Sequence, residues 1–104
     1  MSNIILGTEI KLNIHIEPID GLSMAEYDFK VDVFTSSSRR ITITKEEAKR
    51  VDADNYLILL NTSAIGLGNL KCEVTAYIPD GDFDDALRTE IALLNTGIVI
   101  SKSM

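Results

Sequence analysis

The chain predicts an all-β protein: an antiparallel two-sheet β-sandwich of about seven strands, in one domain spanning residues 1–104. Three observations point there. Apolar and polar residues alternate with a period of two over several long stretches, the mark of strands with one face buried. Short polar or glycine-containing segments separate those stretches at fairly regular intervals. No helical period runs beyond a single turn, so nothing supplies the crossovers that parallel strands require, and the pairing is expected to be purely antiparallel.

In "TEIKLNIHIE", Ile10, Leu12, Ile14 and Ile16 fall on one face, with Glu9, Lys11, Asn13, His15 and Glu17 on the other. The segment "PIDG", with Pro18 and Gly21, makes the next turn. "YDFKVDVF" alternates again, placing Tyr27, Phe29, Val31 and Val33 inward. "TSSSRR" is a polar loop, and "RITIT" is a short strand carrying Ile41 and Ile43. At residues 44–50, "TKEEAKR" is the one convincing helical turn, with Thr44 and Glu47 spaced as a capping box.

"NYLILLN" is more uniformly apolar and reads as a central strand covered on both faces. "TSAIGLGN" makes a loop with two glycines, Leu67 packing beneath it. "LKCEVTAYI" alternates cleanly, with Leu70, Cys72, Val74, Ala76 and Ile78 inward. "LRTEIALLN" and "GIVIS" complete the set as two strands joined near Thr96 and Gly97. The expected topology is immunoglobulin-like, a partly open barrel being the alternative. Strand parity places Leu12, Ile14, Phe29, Val31, Ile43, Ile58, Val74 and Ile91 in the core.

Composition narrows the function. Ten Lys and Arg against sixteen Asp and Glu give a net charge of −6, which disfavours nucleic acid and anionic membranes. No apolar run approaches the ~20 residues that span a bilayer, so membrane insertion is not expected. The opening "MSNIILGTE" has no basic region and too short an apolar stretch for a signal peptide, so nothing demands secretion and a cytoplasmic location is expected. A single cysteine, Cys72, rules out an internal disulfide.

The stretch "IPDGDFDD" holds Asp80, Asp82, Asp84 and Asp85 around Gly81. The spacing of Asp80, Asp82 and Asp84 matches the start of an EF-hand loop, making these three the calcium candidates. The rest of that motif fails: its sixth position holds Asp85 instead of Gly, and its twelfth holds Ile91 instead of Glu. Pro79, Asp80 and Gly81 are what a tight strand-to-strand turn uses in any case, so a solvated turn is the preferred reading. Lys45, Lys49 and Arg50 are expected at the same end, offering a surface ion-pair cluster worth about 0–1 kcal/mol per pair.

Catalytic groups are scarce. His15 is the single histidine and points outward by parity, with no triad partners. Cys72 points inward and reads as a small core residue. "IGLGNL" has two glycines but neither the lysine nor the helix of a phosphate-cradling loop. The two arginines of "SSSRR" are the best case for an anion contact, and Tyr77 is the one obvious outward aromatic for a sugar. No enzyme activity and no cofactor is expected.

The alternators "EIKLNIHI" and "LKCEVTAYIPD", the strand and glycine loop "NYLILLNTSAIGLG" and the terminal "RTEIALLNTGIVI" cover most of the chain. Together they give it a plan that resembles the small β-sandwich modules of phage baseplate, fibre and capsid-decoration proteins. The resemblance implies a non-enzymatic virion or surface-assembly component whose partners are other protein subunits, as a homo-oligomer or within a virion. It assigns no site residues. Interface candidates come from the sequence itself: Asn3, Ile4, Ile5 and Leu6 form an apolar segment ahead of the first alternating strand. Such a segment either pairs within its own sheet as an edge strand or augments another subunit. The competing function is a calcium- or sugar-binding module of a bacterial surface system.

Overall fold

A computed structural model describes residues 2–15, 21–36, 39–52 and 54–102. The elements are β1 (Ser2–Ile5), β2 (Glu9–His15), β3 (Asp28–Phe34), β4 (Arg40–Thr44), β5 (Lys49–Asp52), β6 (Asn55–Asn61), a 3₁₀ turn (Thr62–Ala64), β7 (Gly68–Pro79) and β8 (Leu87–Ser101). The fold is all-β with two sheets. One is five-stranded, in the order β1-β8-β7-β3-β4, and the other is three-stranded, β2-β6-β5.

The alternating sequences set the inner faces. Every inward residue expected of β7 is buried: Leu70, Cys72, Val74, Ala76 and Ile78. On β3, Phe29, Val31 and Val33 are buried too, in register with Ala76, Val74 and Cys72. The three-stranded sheet supplies Leu12, Ile14, Tyr56, Ile58 and Leu60, and all of these belong to one cluster. Phe29 meets Tyr56 edge-on with ring centroids 4.9 Å apart, which ties β3 to β6. Met24 and Ile65, both fully buried, fill the core from loops.

Several expectations change. The described residues form eight strands, because β1 and β5 form in addition and the last two predicted strands are one. The pairing is not purely antiparallel, since β1 runs parallel to β8, with Ser2 opposite Ile98 and Ile5 opposite Ser101. No crossover helix is needed, because nearly the whole chain separates the two strands. β6 is covered on one face only: Tyr56, Ile58 and Leu60 are buried while Leu59 is 64% exposed. Leu67 is exposed, and Ile65 packs under the glycine loop instead. Residues 45–48 make a turn and not a helix, although Glu47 accepts from the Thr44 backbone amide at 3.1 Å as half of a capping box. The Ile16 assignment and residues 18–20 of the expected turn at 18–21 lie outside the described residues, as do positions 37 and 38 of the serine loop.

At Thr96 and Gly97, where a break between strands was expected, β8 carries a bulge. Between Asn69 and Lys71 on β7, the register on β8 jumps from Val99 to Asn95, so β8 holds two extra residues there. Gly97 takes φ +76°, Thr96 Oγ1 donates to the Leu70 carbonyl at 2.8 Å, and Asn95 Oδ1 accepts from the Gly97 amide at 3.1 Å. The strand therefore continues for 15 residues. At ~3.3 Å per residue that is about 50 Å. The molecule's longest dimension is 53 Å.

Ile91 is the one predicted core residue that the fold leaves outside, at 64% exposure. It pairs with Thr75, on the face of β7 turned away from the core. At protein concentrations where the chain is monomeric, replacing it with Asp should therefore change unfolding free energy by no more than ~1 kcal/mol. Phe29→Ala should cost ~3–5 kcal/mol. Urea titrations of the two variants check this, and comparable losses would refute the described register.

Candidate functional site

The acidic turn is built from its own backbone. The Asp80 amide donates to the Ala86 carbonyl at 2.9 Å and the Ala86 amide to the Phe83 carbonyl at 2.8 Å, with Ala86 at φ +60°. Asp80 Oδ1 accepts from the Asp82 amide at 3.0 Å, while Asp80 Oδ2 pairs with the Arg88 guanidinium at 2.7 Å. Asp85 Oδ1 accepts from the Leu87 amide at 3.1 Å. Both Asp80 oxygens are thus committed to closing the hairpin. Among the described residues no three His, Cys, Asp or Glu side chains converge as a metal set. The turn's ionic partner is Arg88, on its own strand, and Lys45 instead donates to the Ala25 and Tyr27 carbonyls at 3.1 and 2.7 Å.

The remaining candidates have structural partners as well. His15 is exposed, its Nδ1 3.0 Å from Asn55 Oδ1, and Asn55 in turn donates to Asp52 at 2.8 Å. That bond, with a second from the Asp54 amide, holds the Asp52 carboxyl below its ordinary range. Arg40 stacks over Phe34 at 4.5 Å and lies 4.0 Å from Asp32 and 3.9 Å from Glu73, so its charge faces acids. Asp32 is buried and also accepts from the Thr42 hydroxyl. Cys72 is fully buried, and burial pushes its thiol up to about 11. Tyr77 is half-buried, and the aromatic that parity missed is Phe83, 48% exposed at the tip of the acidic turn.

The four interface candidates divide. Ile4 packs against the core, Asn3 is exposed, and Ile5 and Leu6 are 47% and 37% exposed. β1 pairs inside its own sheet, the first of the two alternatives weighed for it, and ends on a Leu6 amide bonded to the Ser101 carbonyl at 2.9 Å. Buried Thr62 fixes the passage to β2, accepting from the Gly7 amide and donating to the Thr8 carbonyl, each at 2.9 Å. Among the described residues the outer edge of β1 carries no neighbouring strand.

A longer open edge went unread in the sequence. β1 covers β8 only from Ile98 to Ser101, so residues 87–95 pair with β7 on one side and with no described strand on the other. Along it Leu87, Ile91, Leu93 and Leu94 are 40%, 64%, 62% and 37% exposed. Between this strand and β2 lies a groove of about 350 Å³, lined by Leu12, Ile14, Cys72, Leu94, Thr96 and Ile98. No helix among the described residues is long and apolar enough to cross a membrane.

Two outcomes follow. At pH 8 the Cys72 thiol should react with a disulfide reagent only as fast as the protein opens, reaching full reactivity in denaturant. An ordinary thiol titrates near 9.0 and this one near 11. The unfolded chain therefore loses its proton first, and stability should fall as pH climbs through that window. Millimolar calcium should leave the melting midpoint unchanged. A site at a hundredfold its dissociation constant would add ~2.7 kcal/mol, and an increment removed by Asp82→Ala with Asp84→Ala would reverse the assignment of the turn.

Comparison with protein-family models, curated proteins and solved structures gives no match for this chain.

Proposed function

We propose that the chain is a non-enzymatic structural or adaptor module that works by pairing its strand edges with other protein chains, its own copies included. The open edge of the five-stranded sheet carries the reading. An uncovered strand with large apolar side chains is a template for β-augmentation, and proteins that do not use such an edge usually shorten, charge or cover it. Here it runs over residues 87–95, and β1 continues the same side of the sheet, with exposed Ile5 and Leu6 at the end beside Ser101. The groups that usually carry catalysis are otherwise engaged: Asp80 by Arg88, His15 by Asn55, and Cys72 by burial.

In this reading the two sheets are the halves of an immunoglobulin-like β-sandwich. The module serves in a virion, as a capsid, fibre or baseplate component, on the strength of the resemblance of its alternating strands to such modules. Gel filtration of the material that expresses it tests the proposal. The chain should elute in a species well above its 11.5 kDa monomer mass. Ile5→Lys with Leu6→Lys, which charges the outer edge while leaving Ile4 in the core, should reduce that species. Elution as a free monomer would overturn the reading.

A further inference from the structure

We propose that β8 pairs antiparallel with β8 of a second copy, on a two-fold axis at Thr89, joining two five-stranded sheets into one. The proposal deepens the assembly reading above by naming the partner and the register. It rests on a self-complementary run in the open edge. Leu87, Arg88, Thr89, Glu90 and Ile91 read, from either end towards the middle, as apolar, charged, Thr, with the two charges opposite in sign.

On that axis Leu87 faces Ile91 of the second copy, Arg88 faces Glu90, and Thr89 faces Thr89. Apolar, opposite-charge and Thr–Thr pairs are the cross-strand combinations that stabilise a sheet, while like charges directly opposed destabilise it. The faces agree. Leu87, Thr89 and Ile91 pair with Pro79, Tyr77 and Thr75 on the face away from the core, whereas Arg88 and Glu90 pair with buried Ile78 and Ala76 on the other. Each intermolecular pair thus joins side chains on one face, as a two-fold normal to the sheet requires.

Neighbouring registers fail by the same test. An axis at Arg88 or Glu90 opposes like charges. An axis at Ile91 sets Arg88 against Leu94, and one at Ala92 sets Glu90 against Leu94. Arg88 already reaches Asp80 at 2.7 Å and Glu90 of its own strand at 3.2 Å. A guanidinium has five N–H donors, so it can keep the Asp80 bond while bridging two Glu90 carboxylates across the axis. Ile91 would then face Leu87 of the second copy, and Leu93, opposite Asp85 where the strand has given way to the turn, would lie diagonal to that leucine.

Sedimentation equilibrium of the purified chain over a concentration series tests this, with circular dichroism confirming that each variant is folded. The wild-type mass should climb from 11.5 kDa towards twice that value. Glu90→Arg, which puts two positive charges in opposition, should weaken the dimer about tenfold or more. Arg88→Glu with Glu90→Arg, which inverts every pair but keeps it complementary, should restore it. Under mild oxidation Thr89→Cys should give a disulfide-linked dimer, and Ile91→Cys and Ala92→Cys should not. A wild-type chain that stays monomeric, equal weakening by the single and double charge variants, or cross-linking at 91 or 92 in place of 89 would each overturn the proposal. The two readings fail separately: a monomeric purified chain that is large in its source sinks only the β8 pairing. A dimer cross-linked at Thr89 that is monomeric in its source sinks only the assembly role.

Discussion

The backbone ladder that β7 makes with β3 on one side and β8 on the other is the constraint from which the rest of the molecule follows. Its register is enforced by the strict alternation of Leu70, Cys72, Val74, Ala76 and Ile78, all buried. A slip of one residue would turn those five outward and bring Lys71, Glu73, Thr75 and Tyr77 in. Burying two unpaired charges there would cost several kcal/mol. With β7 fixed, β3 is placed by matching Phe29 to Ala76 and Val31 to Val74, and β4 follows on β3. On the other flank β8 carries β1. The three-stranded sheet then closes over the apolar face that this ladder presents.

Strands such as β2, β3 and β7 were legible because their information is local. Each alternates an apolar face, which packs into the core, with a polar one, and the side chains record which is which. β8 was not legible for a complementary reason. In "LRTEIALLN" the larger apolar residues fall on Leu87, Ile91 and Leu93, so parity assigns that face to a core. In the fold that face pairs with Pro79, Tyr77, Thr75 and Glu73, on the side of β7 away from the core, and all of residues 87–95 but Arg88 are exposed. The parallel pairing of β1 with β8 was equally invisible, since it joins positions separated by almost the full sequence. The acidic turn was legible, because its bonds run between residues two to eight apart.

The strands that end the two sheets differ in chemistry. β4, the far edge of the five-stranded sheet, carries Arg40, Thr42 and Thr44 on its outward side, and Arg40 is drawn over Phe34 towards Asp32 and Glu73. β2 turns Glu9, Lys11, Asn13 and His15 to water. Charge and hydroxyl groups at an edge keep strangers off, because pairing would strip their water. β8 lacks that protection from Ile91 to Leu94, and its Arg88, Thr89 and Glu90 are ordered so that a reversed copy of the same strand complements them. The asymmetry separates edges that only terminate a sheet from one that can extend it.

The parallel seam between β1 and β8 also fixes the order in which the molecule can be completed. A ribosome delivers residues 2–5 some ninety residues before residues 98–101, their hydrogen-bonding partners. At ~5–20 residues per second, the first strand waits several seconds for the last to be made. During that interval Ile4 has no strand beside it, and the sheet can grow only from the β3–β4 and β7 side. Residues 2–5 are therefore made before the strands of their sheet yet ordered after them. A nascent chain stalled before Ile98 would hold that apolar segment loose beside an otherwise formed sheet.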